Sequence, residues 1–232
     1  MQFSFAQQVR QFKKMRNIKI KASGITNLTD ARYFAAREVE WLGFRLGEDP
    51  TNSISPLAAK AIMEWVDGVK IVGEFDFVSA ETIRAINDQL HFDAIQVGMF
   101  VAKAELEQLS DLTLIKEVVV EAGTRLEELE AILEENAACC TYFLLNFEKA
   151  GLGWSKITEG SPFSANDLKS ILEKYPIILA LEFKPDELGE VLEFLQPYAL
   201  SLTGGAEEKI GVKSFDDLDE IMDQLELMGS QA

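Results

Sequence analysis

The sequence predicts an α/β fold: a single-domain (β/α)8 barrel of the TIM type. Short apolar runs alternate with amphipathic stretches from Ile18 to Leu225, the pattern of parallel strands joined by crossover helices. About eight such units fit the 232 residues, which suits a closed barrel better than an open doubly wound sheet. No linker-like segment divides the chain, so one barrel is expected over 18–228, preceded by an N-terminal extension over 1–17.

The extension carries Arg10, Lys13, Lys14 and Arg16 and no acid, with Phe3, Phe5, Val9 and Phe12 near helical spacing. A short amphipathic helix packed on its own chain or on a dimer mate is expected; the alternative is a partner-binding or membrane-surface arm. Strands are then expected at Ile18–Ala22, Trp41–Arg45, Val69–Gly73, Phe92–Val97, Leu112–Val120, Thr141–Asn146, Ile177–Leu181 and Tyr198–Leu202. The intervening helices announce themselves by their starts. Ser55-Pro56 gives an N-cap and a proline at the first helical position. Thr124 with Glu127 reads as a capping box, Ser164 with Asp167 and Ser214 with Asp217 as helix starts, and Pro185 as another. Leu168, Ile171 and Leu172 exemplify the apolar face each helix turns inward.

A net charge of −17 argues against a phosphate-neutralising nucleic-acid surface and against docking on anionic membranes. No apolar run is long enough to span a bilayer. The adjacent Cys139 and Cys140 suit neither a disulfide nor a zinc site, and with His91 as the lone histidine no metal centre and no cofactor is expected. The expected compartment is the reducing cytoplasm. His91, Cys139 and Cys140 fall on the N-terminal side of strands and read as structural.

In such a barrel chemistry belongs at the C-terminal strand ends. Lys21 and Ser23 share a strand parity and should both face the interior. The expected contacts of Lys21 are with Glu182 or Lys116, as part of an ion-pair network; a catalytic Lys–Glu pair and ligand binding without chemistry are the alternatives. Glu74, Asp76 and Glu182 are oxygen donors whose spacing is not diagnostic of a cation site. Gly151-Leu152-Gly153 is a turn or a weak phosphate signal, and Trp154 a packing residue or lid.

Lys21-Ala22-Ser23-Gly24-Ile25-Thr26 with Asp30-Ala31 resembles the first strand and turn of the phosphoribosylanthranilate isomerase family. Leu42-Gly43-Phe44, Ile54-Ser55-Pro56, Val72-Gly73, Asp93 with Gln96, Phe143-Leu144-Leu145, and Gly205 with Glu207, Gly211, Val212 and Lys213 extend the likeness in the same order. The resemblance implies the fold above, a phosphorylated ligand, and an Amadori rearrangement in tryptophan biosynthesis.

It also implies roles that this sequence does not fill. The family's cysteine base corresponds to Ser23, its aspartate acid to Asn146, and its carboxylate-gripping arginine to Asn52. The glycine pair that ends the family's seventh strand is missing from Leu179-Ala180-Leu181-Glu182-Phe183, where Glu182 would set a negative charge near a bound phosphate; Thr203, Gly204 and Gly205 keep half the cradle, and Ser201 replaces an aspartate. An amide cannot donate the proton that ring opening needs, and a serine hydroxyl is a weak base. The sequence therefore predicts a barrel without the ancestral activity that binds a small phosphorylated metabolite or a protein partner. The alternative is an active isomerase, on that substrate or another phosphorylated sugar, using substitute residues. Lys21, Asn52, Gln96, Glu182, Ser201, Thr203, Gly204 and Gly205 are the candidate binding residues. A homodimer is left open.

Overall fold

The alternating runs fold into eight parallel strands that close on themselves in sequence order, and a two-stranded sheet follows. The computed structural model describes residues 18–47, 53–204, 206–209 and 212–230; the expected extension over 1–17, Asn52 and Gly205 lie outside them. The barrel strands are β1 (Lys19–Ile25), β2 (Trp41–Arg45), β3 (Lys70–Phe75), β4 (Ala94–Val97), β5 (Leu114–Val119), β6 (Tyr142–Asn146), β7 (Ile177–Ala180) and β8 (Ala199–Thr203). The seam is closed by β1 on β8, with Lys21 opposite Ser201 and Ser23 opposite Thr203. The helices are α1 (Leu28–Ala36), α2 (Pro56–Met63), α3 (Ala80–Leu90), α4 (Lys103–Gln108), α5 (Leu126–Asn136), α6 (Trp154–Thr158), α7 (Ala165–Lys174), α8 (Leu188–Leu195) and α9 (Asp216–Ser230).

Caps fix where helices begin, because the first backbone N–H groups of a helix have no partner inside it. Ser55 Oγ accepts from Ala58 N–H at 3.2 Å, and Asn27 Oδ1 from Asp30 N–H at 2.9 Å. Ser164 and Asp167, expected to start a helix, form a reciprocal box at α7. Three starts differ from expectation: Ser214, expected to begin the last helix, lies in a strand, and α9 begins at Asp216. The turn before α5 uses Thr124, whose hydroxyl accepts from Glu121 N–H at 2.9 Å, so the helix starts later and Arg125 N–H meets Glu128. Pro185 opens a single 3-10 turn, Pro185–Glu187, ahead of α8. The chain after β8 forms an antiparallel hairpin, β9 (Ala206–Lys209) with β10 (Val212–Ser214), that periodicity did not announce.

One apolar layer lies between barrel and helices, with Phe34, Phe44, Ile83, Leu106, Phe143 and Leu168 wholly or almost wholly buried. A second fills the barrel interior: Trp41, Val72, Ala94, Ile115, Leu144, Ile178, Ala180 and Ala199. Toward the N-terminal end, Tyr142 and Tyr198 stack at 5.0 Å, and Lys19 Nζ lies 4.7 Å from the Tyr198 ring centre and donates to its hydroxyl at 2.8 Å. This aromatic floor leaves the opposite end for polar side chains. Outside the seam, Arg37 joins α1 to α9 through Asp219 at 2.7 Å and Asp223 at 2.6 Å. Among the described residues, no helix is long and apolar enough to cross a membrane.

Candidate functional site

Side chains alternate between the two faces of a strand, so the parity of the apolar interior predicts which polar residues line the mouth. β1 reaches further than expected. It continues to Ile25 through a register shift between Ala22 and Ile25, with Gly24 at φ +68, so Ser23 lies inside the strand and not at its end. A side chain at Gly24 would strain that bulge.

Lys21 is wholly buried and forms an ion pair with Glu74 of β3. Its ammonium also donates to Ser23 Oγ at 2.7 Å, and Ser23 Oγ lies 2.7 Å from Ser201 Oγ on β8. The second oxygen of Glu74 accepts from Gly24 N–H at 3.0 Å. The network is possible because β2 passes it with a glycine: a Cβ on Gly43 would sit 1.9 Å from Glu74 Oε1 and 2.8 Å from Lys21 Nζ. The predicted contacts of Lys21 with Glu182 or Lys116 are thus corrected to Glu74. Glu74 stands on an adjoining part of the barrel wall, whereas Lys116 belongs to the outward parity of β5. There it donates to Val101 O at 2.9 Å, and burial pulls its ammonium below the usual lysine range.

On the far side, Asn146 is held at both ends. Its Nδ2 donates to Glu117 Oε1 at 2.7 Å, and its Oδ1 accepts from Lys149 N–H at 2.9 Å. Glu117 is buried, and its other oxygen receives the Lys149 ammonium at 2.8 Å. Gln96, opposite Glu74 in register, is buried, and its Oε1 has no partner among the described residues.

The ends of β6 and β7 carry carboxylates. Glu148, half-buried, titrates near 7, pushed up by burial and then by the neighbouring Glu182. Glu182 is exposed, and its backbone carbonyl accepts from Trp154 N–H at 2.8 Å; a Cβ on Gly153 would come within 2.9 Å of that oxygen. Trp154 is buried and packs 6.1 Å from Phe194, so it is a core residue and not a lid. Thr203 ends β8 exposed, and Gly204 covers Asp30 so closely that a Cβ there would meet its carboxylate at 2.5 Å.

A cavity of about 930 Å³ lies over the ends of β2 and β3, lined by Arg45, Ser53, Phe75, Asp76, Thr82 and Lys149 among others; Lys21, Ser23, Gln96, Glu148 and Glu182 do not line it. Sequence reasoning brought Lys21, Ser23, Gln96, Asn146 and Ser201 to the mouth. It missed Arg45, Glu117 and Lys149. Glu117 and Arg45 were findable, since each shares parity with an apolar interior neighbour, Ile115 or Trp41. Lys149 lies in a loop without periodicity. The donors Glu74, Asp76 and Glu182 do not converge, and no group of three acidic, histidine or cysteine side chains suited to a metal occurs among the described residues. His91 ends α3 at φ 56, and Cys140 is buried, with its thiol pushed up to about 11 by that burial.

Residues 20–224 match the family described as N-(5'-phosphoribosyl)anthranilate (PRA) isomerase. The isomerase of Pseudomonas putida is 28% identical over 214 residues, covering 90% of this chain and 97% of the relative. The Thermus thermophilus crystal structure superposes with a TM-score of 0.70 at 28% identity, covering 90% of this chain and 98% of that one. Monomers derived from the dimeric Thermotoga maritima isomerase give 0.69 at 20%, covering 91% and 99%. The fold, the strand-by-strand motifs and the extent of the match agree: the chain belongs to the phosphoribosylanthranilate isomerase family.

Proposed function

We propose that this chain has lost the isomerisation of its family and binds a small metabolite at the barrel mouth. The observation that carries this is the closure of both proton-transfer positions into internal hydrogen bonds. Ser23 sits between Lys21 and Ser201, with no base among its partners. Asn146 is fixed between Glu117 and Lys149. General acid and base groups each contribute roughly 10²–10⁴-fold, so replacing both removes most of the rate. The two free cysteines support a reducing, cytoplasmic setting.

One observation favours a second reading, an active isomerase with a substitute acid. Glu148 stands two residues beyond Asn146 and holds a proton up to about pH 7. Complementation of a tryptophan auxotroph lacking the isomerase separates the two. No growth is expected, and Ser23→Cys with Asn146→Asp is expected to restore slow growth. Near-normal growth by the unaltered chain, abolished by Glu148→Gln, would establish the second reading instead.

A further inference from the structure

Helix α2 carries apolar side chains on two faces. Ala59 is buried, and Ile62 and Met63 are half-buried against the core. Leu57, Ala61 and Trp65 stand on the outer face: Leu57 is 79% exposed, Trp65 is 70% exposed, and Ala61 between them is exposed as well. Trp65 lies in the turn that closes the helix, its N–H donating to Ile62 O at 3.0 Å. Apolar residues at i, i+4 and i+8 are the pattern of a helix face that packs on something. Surface hydrophobics scattered singly need no explanation, but two of the five large apolar side chains left exposed among the described residues share this one face. The small Ala61 between two large neighbours leaves a notch that suits the ridge of a second helix. The turns nearby are acidic. Glu64 and Asp67 flank Trp65, and Glu38 lies in the turn that enters the adjoining strand β2. None of the three has an ion pair among the described residues, and Lys60 is the single cation of α2.

We propose that residues 1–17 dock on the outer face of α2 in their own chain, with Phe5, Val9 and Phe12 over Leu57, Ala61 and Trp65 and the basic side chains toward Glu38, Glu64 and Asp67. Phe5, Val9 and Phe12 stand at i, i+4 and i+7, the complementary helical spacing. Arg10, Lys13, Lys14 and Arg16 give this segment four positive charges and no negative one; within a chain of net charge −17 that leaves −21 on the rest. Opposite charge draws the segment to the barrel, and the apolar stripe gives it a place to settle. The reach is sufficient. The segment joins the barrel at Ile18, at the entry of β1, and Trp65 precedes the entry of β3. Two strand spacings, roughly 10 Å, separate those entries, and residues 1–17 span roughly 25 Å even as a helix. A tether this short favours the chain's own α2 over that of a second copy. The docking surface lies outside the barrel, so the inference holds whether or not the mouth turns over the family substrate.

Trp65 is itself the reporter, because the other two tryptophans, Trp41 and Trp154, are each 3% exposed. Acrylamide quenching of the full chain, with the signal of Trp65→Phe subtracted, reads its accessibility. Trp65 in the unaltered chain is expected to be quenched at least about threefold less than in Phe5→Ser with Phe12→Ser. Glu64→Lys with Asp67→Lys, which reverses the charge of the docking face, is expected to expose it too. About 0.5 M salt is expected to raise quenching in the unaltered chain and to leave the Phe5→Ser, Phe12→Ser chain unchanged, a comparison of each protein with itself. Circular dichroism checks that the variants keep the barrel. Equal quenching of the unaltered and Phe5→Ser, Phe12→Ser chains overturns the proposal. So does shielding that is lost on dilution from about 100 to 1 µM, which would place the segment on a second copy. Shielding that appears only with anionic vesicles would make the segment a membrane arm and overturns it as well.

Discussion

Gly43→Ala tests whether the Lys21–Glu74 pair occupies the mouth as described. The added methyl would fall 1.9 Å from Glu74 Oε1 and 2.7 Å from its Cδ. A free glutamate would swing aside at little cost. This one is held by Lys21 on one oxygen and Gly24 N–H on the other, so yielding means abandoning a lysine that has no access to water. Leaving one partner of a buried pair uncompensated costs about 3–5 kcal/mol. For a chain of this size that corresponds to a fall in melting temperature of roughly 6–20 °C. Urea unfolding followed by tryptophan fluorescence and circular dichroism measures it. Lys21→Met with Glu74→Met, which removes both charges, is expected to lose less than Gly43→Ala. An unfolding free energy for Gly43→Ala within about 1 kcal/mol of the parent would refute the reasoning.

The carboxyl of Glu148 gives a pH-dependent prediction. Its pKa rises from 4.5 to about 7 on folding, so between those values the folded chain holds a proton that the unfolded chain has released, and stability falls as pH rises through that window. The full shift is worth roughly 3 kcal/mol, reduced to about 1–2 kcal/mol by partial contact with water. Glu148→Gln is therefore expected to raise the melting temperature by roughly 2–8 °C at about pH 8 and to change it little at about pH 4.5. Equal shifts at both pH values would show that packing, and not the ionisation of Glu148, sets the effect. Ser164→Ala, which removes the α7 cap, is expected to cost about 1 kcal/mol in urea unfolding; no loss would mean that Asp167 alone suffices.

Much of the barrel was legible because burial enforces periodicity. β2 was bounded correctly from Trp41-Leu42-Gly43-Phe44-Arg45, and Ser164 with Asp167 marked α7, because strand burial and cap chemistry are local. The hairpin β9–β10 was not legible, since Ala206–Lys209 carries no alternation that a core demands. The polar layer was half legible. Parity sent Lys21 and Ser23 inward correctly, but choosing Glu74 over Glu182 as the partner of Lys21 depends on which strands lie close enough at that level. Gly43 reveals this only once Glu74 is seen pressed against it. Lys149 acts from a loop, and its contact with Glu117 spans 32 positions with no sequence signal linking them.

On the proposed function, the closed networks around Ser23 and Asn146 leave no isomerase. The most direct measurement is turnover of N-(5'-phosphoribosyl)anthranilate by the purified protein, followed by substrate fluorescence. A rate indistinguishable from the uncatalysed background is expected. A rate comparable to that of the Pseudomonas putida relative under the same conditions would contradict it.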